Sequence, residues 1–362
     1  MRTLASPLLI LALLVAPAAG QIDPNTALLE KSGWAALNAG DFRAAADAFR
    51  AAIGADSKNA RLHLGAGIAA YLARRDEDAT RALDRALELD PRLGEARALL
   101  GQIRYRGGDL VGAIGLYERV VADAPADART RDTLDRWHRE AALHDRLRQS
   151  LNDRFTVSFE GPAEAPLAAQ ALESLDRAYW RIGQALSTYP TRPVSVVLYT
   201  TEQFRDITRS PAWAAGAYDG TIRVPLRGAL ENAKELDRVL AHELTHALIH
   251  TLAARNVPTW LNEGLAAAFE ADDLEWAQER VREAPQPMQL DTLRTSFGRL
   301  SGAQAQLAYA TSALAVRQML DQVGGLGIAN LLRDLGAGVG FEAAFAHRIQ
   351  RSFTDWMASR SW

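Results

Sequence analysis

The sequence predicts an α+β protein in two parts: an N-terminal all-α solenoid, then a domain with a small mixed sheet and a helix carrying paired histidines. Three observations lead there. A 34-residue period runs through the first third of the chain, the pattern turns strand-like after Leu151, and VLAHELTHALIH (Val239 to His250) holds three of the seven histidines. With 362 residues, 48% hydrophobic and 23% charged, the chain can bury the cores of two or three domains.

Residues 1–20, MRTLASPLLILALLVAPAAG, have the order of a secretory signal: Arg2, an apolar run from Leu8 to Val15, then small residues with Ala18 and Gly20 suiting cleavage before Gln21. The run is shorter than the roughly 18 residues of a comfortable bilayer span, so no stable membrane span is expected after cleavage, an uncleaved anchor being the alternative. A periplasmic or secreted location follows. The chain has no cysteine, which excludes disulfides, thiolate ligands, cysteine nucleophiles and a lipid-modified N-terminal cysteine. Lys and Arg number 41 against 44 Asp and Glu, with no dense basic block, so nucleic acid is not expected as a partner.

The period aligns Gly33, Gly67 and Gly101; Ala45, Ala79 and Ala113; and Phe49, Leu83 and Tyr117. Ala52, Ala86 and Val120 keep step, followed by Ser57, Pro91 and Pro125 at the turns. Small residues where paired helices cross, a larger apolar residue on the second helix and a turn closing each unit resemble the tetratricopeptide repeat over about residues 24 to 127. Such units leave an apolar face open until a neighbour stacks on it, so a terminal helix is needed. Arg129 to Gln149, with Leu134, Trp137 and Ala141 on one face, is the expected cap, which extends the first domain over residues 24–149. Its His138 and His144 fall on different faces and read as solvated. Trp34, Tyr71 and Tyr105 are candidates to line a concave groove, although aromatic residues on such helices more often pack between them. A protein partner on the array is the functional expectation.

A second domain is expected over residues 152–362. Phe155 to Gly161 and Val194 to Thr200 read as strands around a long helical stretch, Ala163 to Leu186. A turn at Tyr218, Asp219 and Gly220 separates two extended pieces, AGAY and TIRVPL, and after residue 230 the pattern is mostly helical. AGAYDGTIRVPL is either an ordinary hairpin or an exposed edge on which an extended peptide could pair.

On a helix, His242 and His246 lie one turn apart, with Leu240, Leu244 and Leu248 on the opposite face. Imidazoles at i and i+4 can share one tetrahedral metal ion, and Glu243 beside them can reach a water on that ion, the HExxH pattern. His250 is eight residues past His242, about 12 Å along the axis, too far to share the same ion. A third ligand must come from elsewhere, and PTWLNEGLAAAFE (Pro258 to Glu270) offers Glu263, followed by Gly264, whose missing side chain would let two helices approach.

HExxH followed at this distance by W-L-N-E-G-L-A resembles the gluzincin metallopeptidases, especially the peptidase MA-like domains that accompany tetratricopeptide repeats. The resemblance covers about residues 152 to 362 and implies a zincin-like fold, zinc ligands at His242, His246 and Glu263, and Glu243 as general base for peptide hydrolysis. Sixteen residues separate His246 from Glu263, two fewer than is usual in the gluzincin aminopeptidases, and their glycine-containing exopeptidase motif does not precede the histidine helix. An endopeptidase acting on a peptide or protein substrate is therefore the expectation. Tyr309, in AYATSALAVRQML, is the candidate donor to a developing oxyanion, with a core tyrosine as its other reading and His347 as the substitute donor. The competing function is a repeat-based envelope scaffold whose zinc domain only binds.

Overall fold

The computed structural model describes residues 24–161, 164–211, 214–226, 233–270, 273–294 and 296–359. The expected signal segment lies outside them. The chain divides into two compact units, one ending at Ala142 and one running from Leu143. No described helix is long and apolar enough to cross a membrane.

The first unit stacks three helix pairs: α1 (Pro24–Asn38) with α2 (Phe42–Ala55), α3 (Ala60–Leu72) with α4 (Asp76–Leu89), and α5 (Gly94–Arg106) with α6 (Leu110–Asp123). The period has a direct physical basis. Phe49 lies against Gly33, Leu83 against Gly67 and Tyr117 against Gly101, so close that a Cβ on these glycines would stand 2.8, 2.6 and 2.6 Å from the partner side chain. Ala45, Ala79 and Ala113 are fully buried where the pairs cross. Turn carboxylates start two of the three second helices: Asp41 accepts from Ala44 N at 2.9 Å before α2, and Asp109 from Gly112 N at 2.9 Å before α6.

Helix α7 (Ala128–His144) closes the array, with Leu134 and Trp137 buried beside Tyr117 and Trp137 stacked on Tyr105 at 4.8 Å. Tyr105 also donates to Glu140 at 2.7 Å, and Trp34 packs edge-on against Phe49 at 5.1 Å, so both act as packing residues. Tyr71 bonds to Gln102 and lies beneath Arg106. The expected helix to Gln149 is too long by five residues: it ends at His144, and Leu147–Leu151 is a strand. Asn152 explains the change, because its Oδ1 accepts from Arg154 N (2.9 Å) and Phe155 N (2.8 Å) and turns the chain into a hairpin. His144 is also not solvated: it is half-buried, 3.0 Å from the Tyr199 hydroxyl.

The second unit is built on a five-stranded mixed sheet, ordered β1-β2-β3-β5-β4. Strands β1 (Leu147–Leu151) and β2 (Phe155–Glu160) are antiparallel, β2, β3 (Val194–Tyr199) and β5 (Ile222–Pro225) are parallel, and β4 (Ala217–Tyr218) runs antiparallel at the edge. Between them run α8 (Ala165–Leu186) and α9 (Thr201–Thr208). Alternation splits β3: Val194, Val196 and Leu198 join the main core with α8, while Val197 and Tyr199 meet Phe204 and Ile207 of α9 on the other face.

Among the described residues, six α-helices complete the unit: α10 (Ala233–Leu252), α11 (Thr259–Glu270), α12 (Glu275–Arg282), α13 (Gly302–Gly336, broken at Gly324), α14 (Phe341–Ile349) and α15 (Phe353–Ala358). The leucine stripe of α10, Leu240, Leu244 and Leu248, is fully buried. Gly264 does permit a close approach, although its bare Cα faces α13, where any Cβ would press into the Ser312 carbonyl oxygen. Gly264→Ala should therefore destabilise the protein by about 1–3 kcal/mol, read as a lower denaturant midpoint at unchanged slope.

Candidate metal centre

Helix α10 presents His242 and His246 on one face, with ring centroids 4.9 Å apart, and α11 packs beside it to bring Glu263 between them. Glu263 Oε2 is 3.6 Å from His242 Nε2 and 3.5 Å from His246 Nε2. One ligand-type atom from each residue lies within 4.8 Å of the others, the only such group of three among the described residues. Ligands about 2.0–2.2 Å from a tetrahedral ion stand roughly 3.3–3.5 Å apart, so the two distances from Glu263 to the imidazoles match a zinc-sized cation.

The outer nitrogens are held as such a site requires. His242 Nδ1 meets Glu270 Oε2 at 2.7 Å and His246 Nδ1 meets Asn262 Oδ1 at 3.2 Å. Because both partners accept, each Nδ1 donates outward, which leaves each Nε2 facing Glu263, where a metal ion would displace a proton and take the lone pair. Arg238 fixes Glu270 in turn, at 2.6 Å. Glu270 and Asn262 were not among the expected site residues, although both sit in the stretch that supplied Glu263. Glu270 lies seven residues after Glu263, two turns along one face, and that phase is the signal that could have found it. Loss of such an outer partner typically weakens metal binding about 10- to 100-fold, so Glu270→Ala should do so in a competition titration while Glu275→Ala, on the exposed start of α12, should not.

The electrostatics agree with cation binding. Burial alone would lower the His242 pKa, but the carboxylates of Glu263 and Glu270 outweigh it and raise it to about 10. A field that holds a proton there equally favours a metal cation. Burial likewise works to raise Glu263, yet His246 and His242 hold its carboxyl well below the usual range.

Glu243 points differently from the ligands. It is 4% exposed, its Oε2 has no hydrogen-bond partner, and burial raises its pKa against the pull of His246 and His242. Gly216, just before β4, makes room for it: a Cβ there would stand 2.5 Å from Glu243 Oε1. Gly216 falls in the AGAY segment already singled out, but its contact is tertiary and has no sequence signal.

A cavity of about 600 Å³ joins these groups, lined by both histidines, Glu243, Glu263, Glu270, Gly216 and Tyr309. Tyr309 stands two turns into α13, its ring 6.1 Å from that of His242. Burial, then the carboxylates of Glu263, Glu243 and Glu270, raise its pKa well above the ordinary value, so the phenol keeps its proton and can donate. It also packs edge-on against Phe297 at 5.3 Å, a core contact. His250 is exposed beside Tyr218, with centroids 6.0 Å apart, and His347 is exposed 3.9 Å from Asp334. Neither lines the cavity.

Residues 175–354 match the family model of the Peptidase MA superfamily, and residues 31–92 and 77–128 match that of the tetratricopeptide repeat. No curated protein matches the chain.

Proposed function

From a tetratricopeptide array followed by a Peptidase MA superfamily domain, we propose a zinc-dependent endopeptidase of the cell envelope whose repeats recruit a substrate or a protein partner. The observation that carries this reading is the convergence, in one cavity, of three metal-ligand atoms with the unpartnered carboxylate oxygen of Glu243. His242, His246 and Glu263 would hold the ion. Zinc supplies a Lewis acid that makes water acidic near neutral pH and polarises a carbonyl. Glu243 takes the proton of the attacking water and returns it to the departing amine nitrogen, a role suited to a buried carboxylate with a raised pKa. Tyr309 donates its phenolic proton to the oxygen on which charge develops.

The short edge strand β4 stands next to Gly216 on the cavity rim and has one side unpaired within the described sheet, which favours an extended peptide laid along it. The envelope location rests on the N-terminal signal pattern. The scaffold reading has less support, because a site that only binds zinc has no use for Glu243 held partnerless at its edge.

The test is hydrolysis of unfolded casein by the full chain. Cleavage that stops with a chelator and returns with zinc is expected; none after verified zinc loading would overturn the reading. Within it, Tyr309→Phe should lower kcat about 10²- to 10³-fold at unchanged KM and zinc content. A normal kcat with reduced thermal stability would instead make Tyr309 a core residue.

A further inference from the structure

The cavity extends past the ligand cluster to a wall that takes no part in this chemistry. Trp276, Glu279, Arg280 and Glu283, of α12 and the residue that follows it, line that wall at i, i+3, i+4 and i+7, one face of a helix. The opposite face is anchored: Ala277 is fully buried with Ala310, Ala313 and Leu314 of α13, and Val281 packs against them. The open face therefore has a fixed position. Trp276 is 36% exposed on it, a large apolar ring kept out of the core and turned to the cavity.

Glu279 and Glu283 stand one turn apart, an arrangement that opposes helix formation slightly. Of the two guanidiniums on the cavity, Arg238 is engaged by Glu235 at 2.8 Å and Glu270 at 2.6 Å, which leaves Arg280 as the other cation, on the wall that carries Glu279 and Glu283. Five carboxylates line the cavity against two guanidiniums among the described lining residues, and two of the five, Glu279 and Glu283, lie outside the ligand cluster and its neighbours Glu243 and Glu270. Independently, the partnerless Glu243 oxygen marks the same cavity as one shaped for a ligand.

We infer that the face of Trp276, Glu279 and Glu283 selects substrates with a long cationic side chain, lysine or arginine, near the scissile bond. The indole carries the aliphatic stem or guanidinium by stacking and cation–π attraction, and the carboxylates receive the head group. The inference rests on the peptidase reading of this cavity and deepens it by naming the substrate class.

Binding separates the two. Zinc-loaded full chain carrying Glu243→Gln would be titrated into three labelled, end-blocked heptapeptides of alanine with a central Arg, Leu or Glu, read by fluorescence anisotropy. The Arg peptide should bind about 10-fold or more tighter than the Glu peptide. Glu279→Gln with Glu283→Gln should bring that ratio to about two, and Trp276→Ala should weaken the Arg peptide roughly 3- to 30-fold, with zinc content and circular dichroism unchanged. Equal affinities for Arg and Glu peptides, undetectable binding of all three, or a ratio untouched by the double variant would overturn the inference. Preference for Arg without cleavage by the Glu243 protein would sink the peptidase reading alone.

Discussion

Glu243→Gln should fold, keep its zinc and lose about 10²- to 10⁴-fold in turnover on an unfolded peptide, the range expected for removal of a general acid-base group. The carboxamide has the same shape, so the close contact with Gly216 survives. No hydrogen bond of Glu243 Oε2 is sacrificed, because it makes none. A neutral group also escapes the burial penalty that raises the carboxyl pKa, so the metal-free variant should melt no lower than the parent. Turnover within a few-fold of the parent, at equal zinc content, would remove Glu243 from the reaction.

Glu263→Ala and His246→Ala should each abolish stoichiometric zinc binding, with activity lost to the same extent. Glu263 is 3% exposed and His246 3%, and the carboxylate lies between both imidazoles. Removing it leaves buried rings facing a void, and breaking a buried charge pair in this way typically costs about 3–5 kcal/mol. The unfolding midpoint should therefore fall as well. His250→Ala, at an exposed position on the same helix, should change neither zinc content nor midpoint. Full zinc occupancy in Glu263→Ala would refute the ligand set.

What was legible in the sequence was what a local period carries. The pairs Gly33 with Phe49, Gly67 with Leu83 and Gly101 with Tyr117 recur every 34 residues because each repeat makes the same contact again. His242 and His246 could be placed on one face because a single helix fixes their phase, and the buried leucine stripe behind them told which face was open. Glu263 needed a second motif, since its place depends on how α11 packs on α10.

Where structure and sequence pattern part, long-range packing is the cause. Leu147–Leu151 carries an exposed, polar strand pattern that resembles the charged helix before it, and only the Asn152 turn distinguishes the two. His144 looked like a surface residue because its partner, Tyr199, is 55 positions away. Gly216 supports Glu243, and α12 faces the cavity, through packing that no spacing along the chain encodes. Gly264 is a close-approach residue as its place in the motif suggests, but that α13 is the helix that comes near is set by tertiary packing alone.

The most direct measurement is the set of new peptide termini that the zinc-loaded full chain creates in a denatured envelope-protein extract, counted by terminal labelling and mass spectrometry beside its Glu243→Gln form. Internal cleavages present with the parent chain, absent with the variant and suppressed by chelation are the predicted result. The same termini at the same abundance from both proteins, each verified to hold zinc, would contradict hydrolysis at this site.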